Sequence, residues 1–210
     1  MVGRIITSDA CVAEGADYLA SIEPRFADAL VLTGDLPLRL KDDGFEALLG
    51  AIVSQQISVA AAGSIWKRLC AAELTSSVNV SSASEDDLRG CGLSRPKIKY
   101  VKSLADAGVD YAALREASTQ DVIAQLIEIK GIGRWTAEIY AMFSLGRADV
   151  FAAGDLALQE AAKILFELDA RPPEKAFNEM AEAWTPWRSV AARLLWAYYR
   201  VAKDREGIGL

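Results

Sequence analysis

The sequence predicts an all-α chain, and three observations carry that prediction. Alanine is the dominant residue, apolar side chains recur at helical spacing in several stretches, and all six prolines lie outside those stretches. With 52% apolar and 25% charged residues over 210 positions, the chain can bury a substantial core, and intrinsic disorder is excluded.

The elements follow in order. Asp43, with Glu46 three residues on, reads as a capping-box-like start for an amphipathic helix carrying Phe45, Leu48, Leu49, Ile52 and Val53. It ends in the polar group Ser54, Gln55 and Gln56, and the Ala-rich stretch from Val59 to Cys70 resumes helical composition. Ser76 to Ser84 reads as a Ser-rich connection, and Ser84 with Asp87 as the start of a short helix stopped by Gly90 and Gly92.

Ser118 and Asp121 open a helix with the apolar face Val122, Ile123, Leu126 and Ile127. The break at Lys130 to Gly133 is followed at once by a helix with Trp135, Ile139, Met142 and Phe143 on one face, so residues 118–145 form a helix, a hairpin and a helix. Gly131 and Gly133 are expected to supply positive φ and close backbone approach, turning successive N–H groups outward as an anion site. A plain glycine turn is the alternative. Further on, Asp155 falls at the N-cap of a helix whose apolar face is Leu158, Ala161, Ala162, Leu165 and Phe166; taken alone it is an ordinary cap. Thr185 is expected to cap a last helix with Pro186 at its first position and Leu194, Leu195, Trp196 and Tyr199 within it.

Composition removes several chemistries. The chain has no histidine, so acid, base or ligand roles fall to carboxylates, Lys, Tyr, Cys or the backbone. Cys11, Cys70 and Cys91 are too scattered for a zinc knuckle, an iron–sulfur loop or a disulfide framework, which points to a reducing cytosol. The uncharged run between Glu46 and Lys67 would place Ser54, Gln55, Gln56 and Ser58 at a bilayer centre and is rejected as a membrane span. The opening residues lack the apolar core and cleavage site of a secretory signal. A formal net charge of −6 fits nucleic-acid binding poorly, but Arg95, Lys97, Lys99 and Lys102 make one local basic stretch, either a phosphate stripe or a solvated helix face.

Four segments in this order, AIVSQQIS, IKGIGRWTAEIYAMF, DVFAAGD and WTPWRSVAARLLW, resemble the helix-hairpin-helix DNA glycosylases. Within them the chain looks like the 3-methyladenine DNA glycosylase II family, over roughly residues 15–205. The resemblance implies a short, single-domain form of an all-α fold. A subdomain of about 42–145 would pack against 1–41 plus 146–210, with the hairpin at the mouth of the cleft between them. It implies excision of alkylated purines from double-stranded DNA, without strand cleavage.

By the same resemblance Asp155 is the catalytic aspartate. Trp135, Trp196 and Ile139 line the base pocket, and Gln56, with Gln55 beside it, fills the gap left by the extruded base. Gly131, Gly133, Arg134 and Lys97 meet phosphate. The carbonyls of Ile127, Ile129 and Ile132 hold a structural Na⁺ or K⁺, and no other cofactor, iron–sulfur cluster or zinc is implied. The partner is DNA and not a membrane, the protein is expected to be a monomer, and the location is cytoplasmic, at the nucleoid in a bacterium. Ile139 stands where well-known relatives carry an aromatic residue, and Lys130 where many have Pro. Two other readings stay open: a non-catalytic DNA-binding protein in which Asp155 is only a cap, and a glycosylase for deaminated or oxidised bases.

Overall fold

The computed structural model describes residues 2–205, which form thirteen α-helices, one 3₁₀ turn and no strand. Two compact units divide them: residues 41–145, and residues 2–40 together with 146–205.

The first unit holds α3 (Phe45–Ser54), α4 (Val59–Ala71), α5 (Ser77–Ser82), α6 (Glu85–Gly90), α7 (Arg95–Asp106), α8 (Tyr111–Glu116), α9 (Thr119–Ile127) and α10 (Arg134–Phe143). The buried sides of α3 (Leu48, Leu49, Ile52, Val53), α7 (Ile98, Val101, Leu104) and α9 (Val122, Leu126) supply its core, each fully buried aliphatic side chain stabilising by about 1.5–3 kcal/mol. Serine caps recur: the hydroxyls of Ser58, Ser76, Ser84 and Ser118 each accept a backbone N–H three residues on.

The second unit holds α1 (Asp9–Ile22), α2 (Pro24–Thr33), α11 (Leu156–Leu165), α12 (Glu174–Ala181), the 3₁₀ turn Glu182–Trp184 and α13 (Arg188–Arg205). Its core is aromatic. Trp184 meets Phe26 edge-on at 5.2 Å and Phe151 at 5.4 Å, and stacks on Phe166 at 5.9 Å. Arg193 is buried, donating to the Ser189 carbonyl at 2.8 Å and the Leu38 carbonyl at 3.1 Å, and burial lowers its pKa to about 10.

Several local expectations are corrected by the structure. Asp43 does not cap α3. Its carboxylate takes both Arg115 donors, at 2.6 and 2.7 Å, and Gly44 at φ +99 caps instead, its N–H donating to the Tyr140 hydroxyl at 3.0 Å. The expected Ser-rich connection contains α5, because Val80 is buried and Ser76 caps. The hairpin is six residues long, 128–133, rather than four. Pro186 follows Thr185 through a cis peptide and precedes the last helix, which begins at Arg188. Of the basic stretch on α7, Lys102 donates to the Ser81 and Ala83 carbonyls, while Arg95 and Lys99 are exposed.

Candidate functional site

The hairpin between α9 and α10 is built around one glycine. Gly131 stands at φ +98, and a Cβ there would lie 2.4 Å from the Tyr100 ring, so both conformation and space demand glycine. Gly133 does not share the expected positive φ. It sits at φ −86 and ψ 168 as the N-cap of α10, and a Cβ there would meet nothing within 4 Å. No side chain caps α10, and Gly133 leaves the backbone at its N-terminus exposed and free of a side chain. That arrangement suits an anion, since the helix dipole adds to the donors.

The structure distributes the other expected phosphate residues unevenly. Arg134 pairs through Nε with Glu138 at 3.0 Å, a carboxylate only 4% exposed, and its own guanidinium remains on the surface. Lys97 is half-buried, and its ammonium donates to the Val53 carbonyl at 2.6 Å. Desolvation pushes its pKa down. Lys97, Tyr100, Gln55 and Gln56 line a recess of about 570 Å³ beside Gly131, Ile132 and Gly133.

The connection between α3 and α4 meets the hairpin at the same recess. Gln55 is half-buried, and its amide donates to the Gly131 carbonyl at 3.0 Å. Gln56 is exposed and adopts φ +58, a left-handed conformation uncommon for a residue with a Cβ. Both also line a cavity of about 750 Å³ together with Trp66, Trp135, Ile139 and Tyr140. The periodic face expected for α10 is therefore split. Met142 and Phe143 are core, as are Ala137, Tyr140 and Ala141, whereas Trp135 is 46% exposed and Ile139 half-buried at the cavity. An indole in such a place offers a flat face to a ring or a cation. Trp66 was missed from the sequence; its only signal is a lone aromatic in an Ala-rich amphipathic helix.

In the second unit Asp155 is the N-cap of α11. Its Oδ1 accepts the N–H groups of Ala157 at 2.9 Å and Leu158 at 3.0 Å, and the Trp196 indole Nε1 at 3.3 Å. Three donors on one oxygen fix the carboxylate's orientation. The third makes Trp196 a partner of Asp155, a relation that spacing along the chain does not show. Gln159, also unforeseen, ties the approach loop down by donating to the Ala153 carbonyl at 2.8 Å. Nearby acids are committed elsewhere: Asp149 to Arg188 at 2.6 Å, and Glu160 to Arg171 at 3.5 Å.

Comparison with known proteins gives a consistent picture. The model of the HhH-GPD superfamily base excision DNA repair proteins matches residues 49–186. An alkylbase DNA glycosidase-like protein of Schizosaccharomyces pombe is 28% identical over 85% of this chain and 90% of its own length. DNA-3-methyladenine glycosylase 1 of the same yeast is 32% identical, covering 77% and 75%. Among solved structures, a DNA-3-methyladenine glycosidase from Bacillus halodurans superposes with a TM-score of 0.80 at 33% identity, covering 89% of each chain. The S. pombe 3-methyladenine DNA glycosylase in complex with abasic DNA gives 0.74 at 29% identity, covering 87% and 95%. No helix among the described residues is long and apolar enough to cross a membrane.

Proposed function

The chain belongs to the HhH-GPD superfamily of base excision DNA repair proteins, and from that premise we propose a DNA glycosylase that excises alkylated purines of the 3-methyladenine and 7-methylguanine type from double-stranded DNA. The observation that carries this reading is Asp155, a carboxylate whose Oδ1 is held by two backbone donors and the Trp196 indole.

The chemistry follows from charge. An alkylated purine of this kind already carries a positive charge, so it leaves with the electron pair of the C1′–N bond and becomes neutral without a general acid. Positive charge then develops on the sugar, and a preoriented carboxylate stabilises it. An opposite charge at about 4 Å contributes about 4 kcal/mol at an effective dielectric near 20, roughly three decades of rate. Water adds to C1′ and releases a proton to solvent. The absence of histidine is consistent with this route, because no step needs a group titrating near neutrality.

The base must first leave the helical stack. Gln56 is the residue we assign to the vacated gap, and the Trp135 face stacks on a cationic ring with about 0.5–2 kcal/mol of favourable interaction. The hairpin N–H groups hold a backbone phosphate. A monovalent cation on the carbonyls of Ile127, Ile129 and Ile132 fits this hairpin: the Ile129 carbonyl accepts the Ile132 N–H at 3.0 Å and retains a second lone pair. Such an ion supplies positive charge for the phosphate, and the reaction itself needs no cofactor. The protein acts as a monomer in the cytoplasm.

The test is release of free base from methylated duplex DNA by wild type and by Asp155→Asn, with a panel that includes uracil, hypoxanthine and oxidised bases. Release confined to alkylated bases and lost in the variant is expected. Equal release by both proteins would overturn the assigned mechanism, and wild-type release of uracil or oxidised bases alone would overturn the substrate class.

A further inference from the structure

Two bonds hold the end of α3 and the first residue of the connection to α4. The Gln55 amide reaches the Gly131 carbonyl at 3.0 Å, and the Lys97 ammonium reaches the Val53 carbonyl, near the end of α3, at 2.6 Å. Gln56 follows directly after these two anchored residues, exposed and at φ +58. A residue with a Cβ keeps such a conformation where its surroundings over-determine it. The acceptor belongs to Gly131, which stands at φ +98 with the Tyr100 ring packed where a Cβ would lie.

We propose that Gln55 is a positioning residue that couples the hairpin to Gln56, so that seating the hairpin on phosphate sets how Gln56 enters the duplex. This rests on the reading of the hairpin as a phosphate site and of Gln56 as the gap-filling residue. Gln55 and Gln56 are adjacent and chemically identical, yet their surroundings divide the work: one amide is spent inside the protein and the other is presented to solvent.

Gln55→Met keeps length and volume while removing the donor. Gln55→Lys restores a donor of similar reach. The readout is 2-aminopurine fluorescence opposite an abasic-site analogue, which reports unstacking without any chemistry, measured beside affinity, its salt slope and the thermal midpoint. Gln55→Met is expected to lose the fluorescence rise while its salt slope and melting stay as in wild type, and Gln55→Lys to regain it. Single-turnover base release from a fully paired lesion should fall about tenfold in Gln55→Met, as expected for a misplaced contact, and change little for a lesion already unpaired in a bulge. Adding Gln55→Met to Gln56→Ala should cost nothing further, since both act on one step. An undiminished fluorescence rise in Gln55→Met, equal loss in both Gln55 variants, or additive losses with Gln56→Ala would each overturn the proposal. Should wild type release no base while its fluorescence still depends on Gln55, the glycosylase reading fails and the coupling stands.

Discussion

A carboxylate at a helix N-cap carries a structural and a chemical duty that one substitution separates. Asn caps as well as Asp, so Asp155→Asn should change stability by less than about 1 kcal/mol while base release falls by roughly three decades. Binding to an abasic-site analogue, measured by fluorescence anisotropy, should survive. Trp196→Phe keeps an aromatic ring while removing the Nε1 donor to Asp155 together with part of the indole, so it should lower the single-turnover rate by at least about tenfold, the worth of one charge-assisted bond. Cys11 offers a residue-level pH test. The Ser8 hydroxyl, then the Thr7 backbone and side chain, lower its thiol from the ordinary value to about 7. A thiol depressed in the folded state favours the thiolate, so this contribution to stability is present at alkaline pH and is lost as pH falls through about 7. Alkylation of Cys11 by iodoacetamide should therefore show a midpoint near 7, moving upward in Ser8→Ala.

At the scale of the element, the two hairpin glycines look equivalent in the sequence and differ in the fold. Gly131→Ala must accommodate both φ +98 and a methyl 2.4 Å from Tyr100, and should destabilise by more than about 1 kcal/mol in chemical denaturation. Gly133→Ala has open space and ordinary dihedrals, so its melting should match wild type. Its defect should lie in DNA binding, and should be equal for lesion-bearing and undamaged duplexes, because a phosphate contact carries no base information. Altered lesion preference at unchanged affinity in Gly133→Ala would contradict the phosphate role of the hairpin.

For the whole molecule, a net charge of −6 must be reconciled with a polyanionic partner. The basic stretch on α7 contributes less than its charge suggests, since Lys97 and Lys102 are bonded to backbone carbonyls. Binding that relies on hairpin N–H groups neutralises few phosphates, and the plot of log affinity against log salt should be shallow, with a slope of about −2 to −4. The same economy applies to the products. A Schiff-base route to strand cleavage needs an amine at the position two residues past the second hairpin glycine, and Trp135 occupies it. The abasic strand should therefore remain intact until treated with alkali, and borohydride should trap no covalent adduct.

Local patterns in the chain were enough for the helical class, the caps at Ser84 and Ser118, the hairpin between α9 and α10 and the N-cap position of Asp155. Each of these signals lies within a few residues of its effect: periodicity, caps and the Gly131 turn act over one or two helical turns. Which partners those residues meet is settled by how the helices pack. Asp43 reads as a helix cap until Arg115, 72 residues away, takes its carboxylate. Gln55 reads as half of a polar pair until the Gly131 carbonyl, 76 residues on, accepts its amide. Trp196 lies 41 residues from the oxygen it donates to, and Trp135 leaves the core face of α10 for a cavity shared with Trp66. Such pairings depend on how whole helices pack, and packing is settled by burial of faces drawn from the entire unit, which no local pattern encodes.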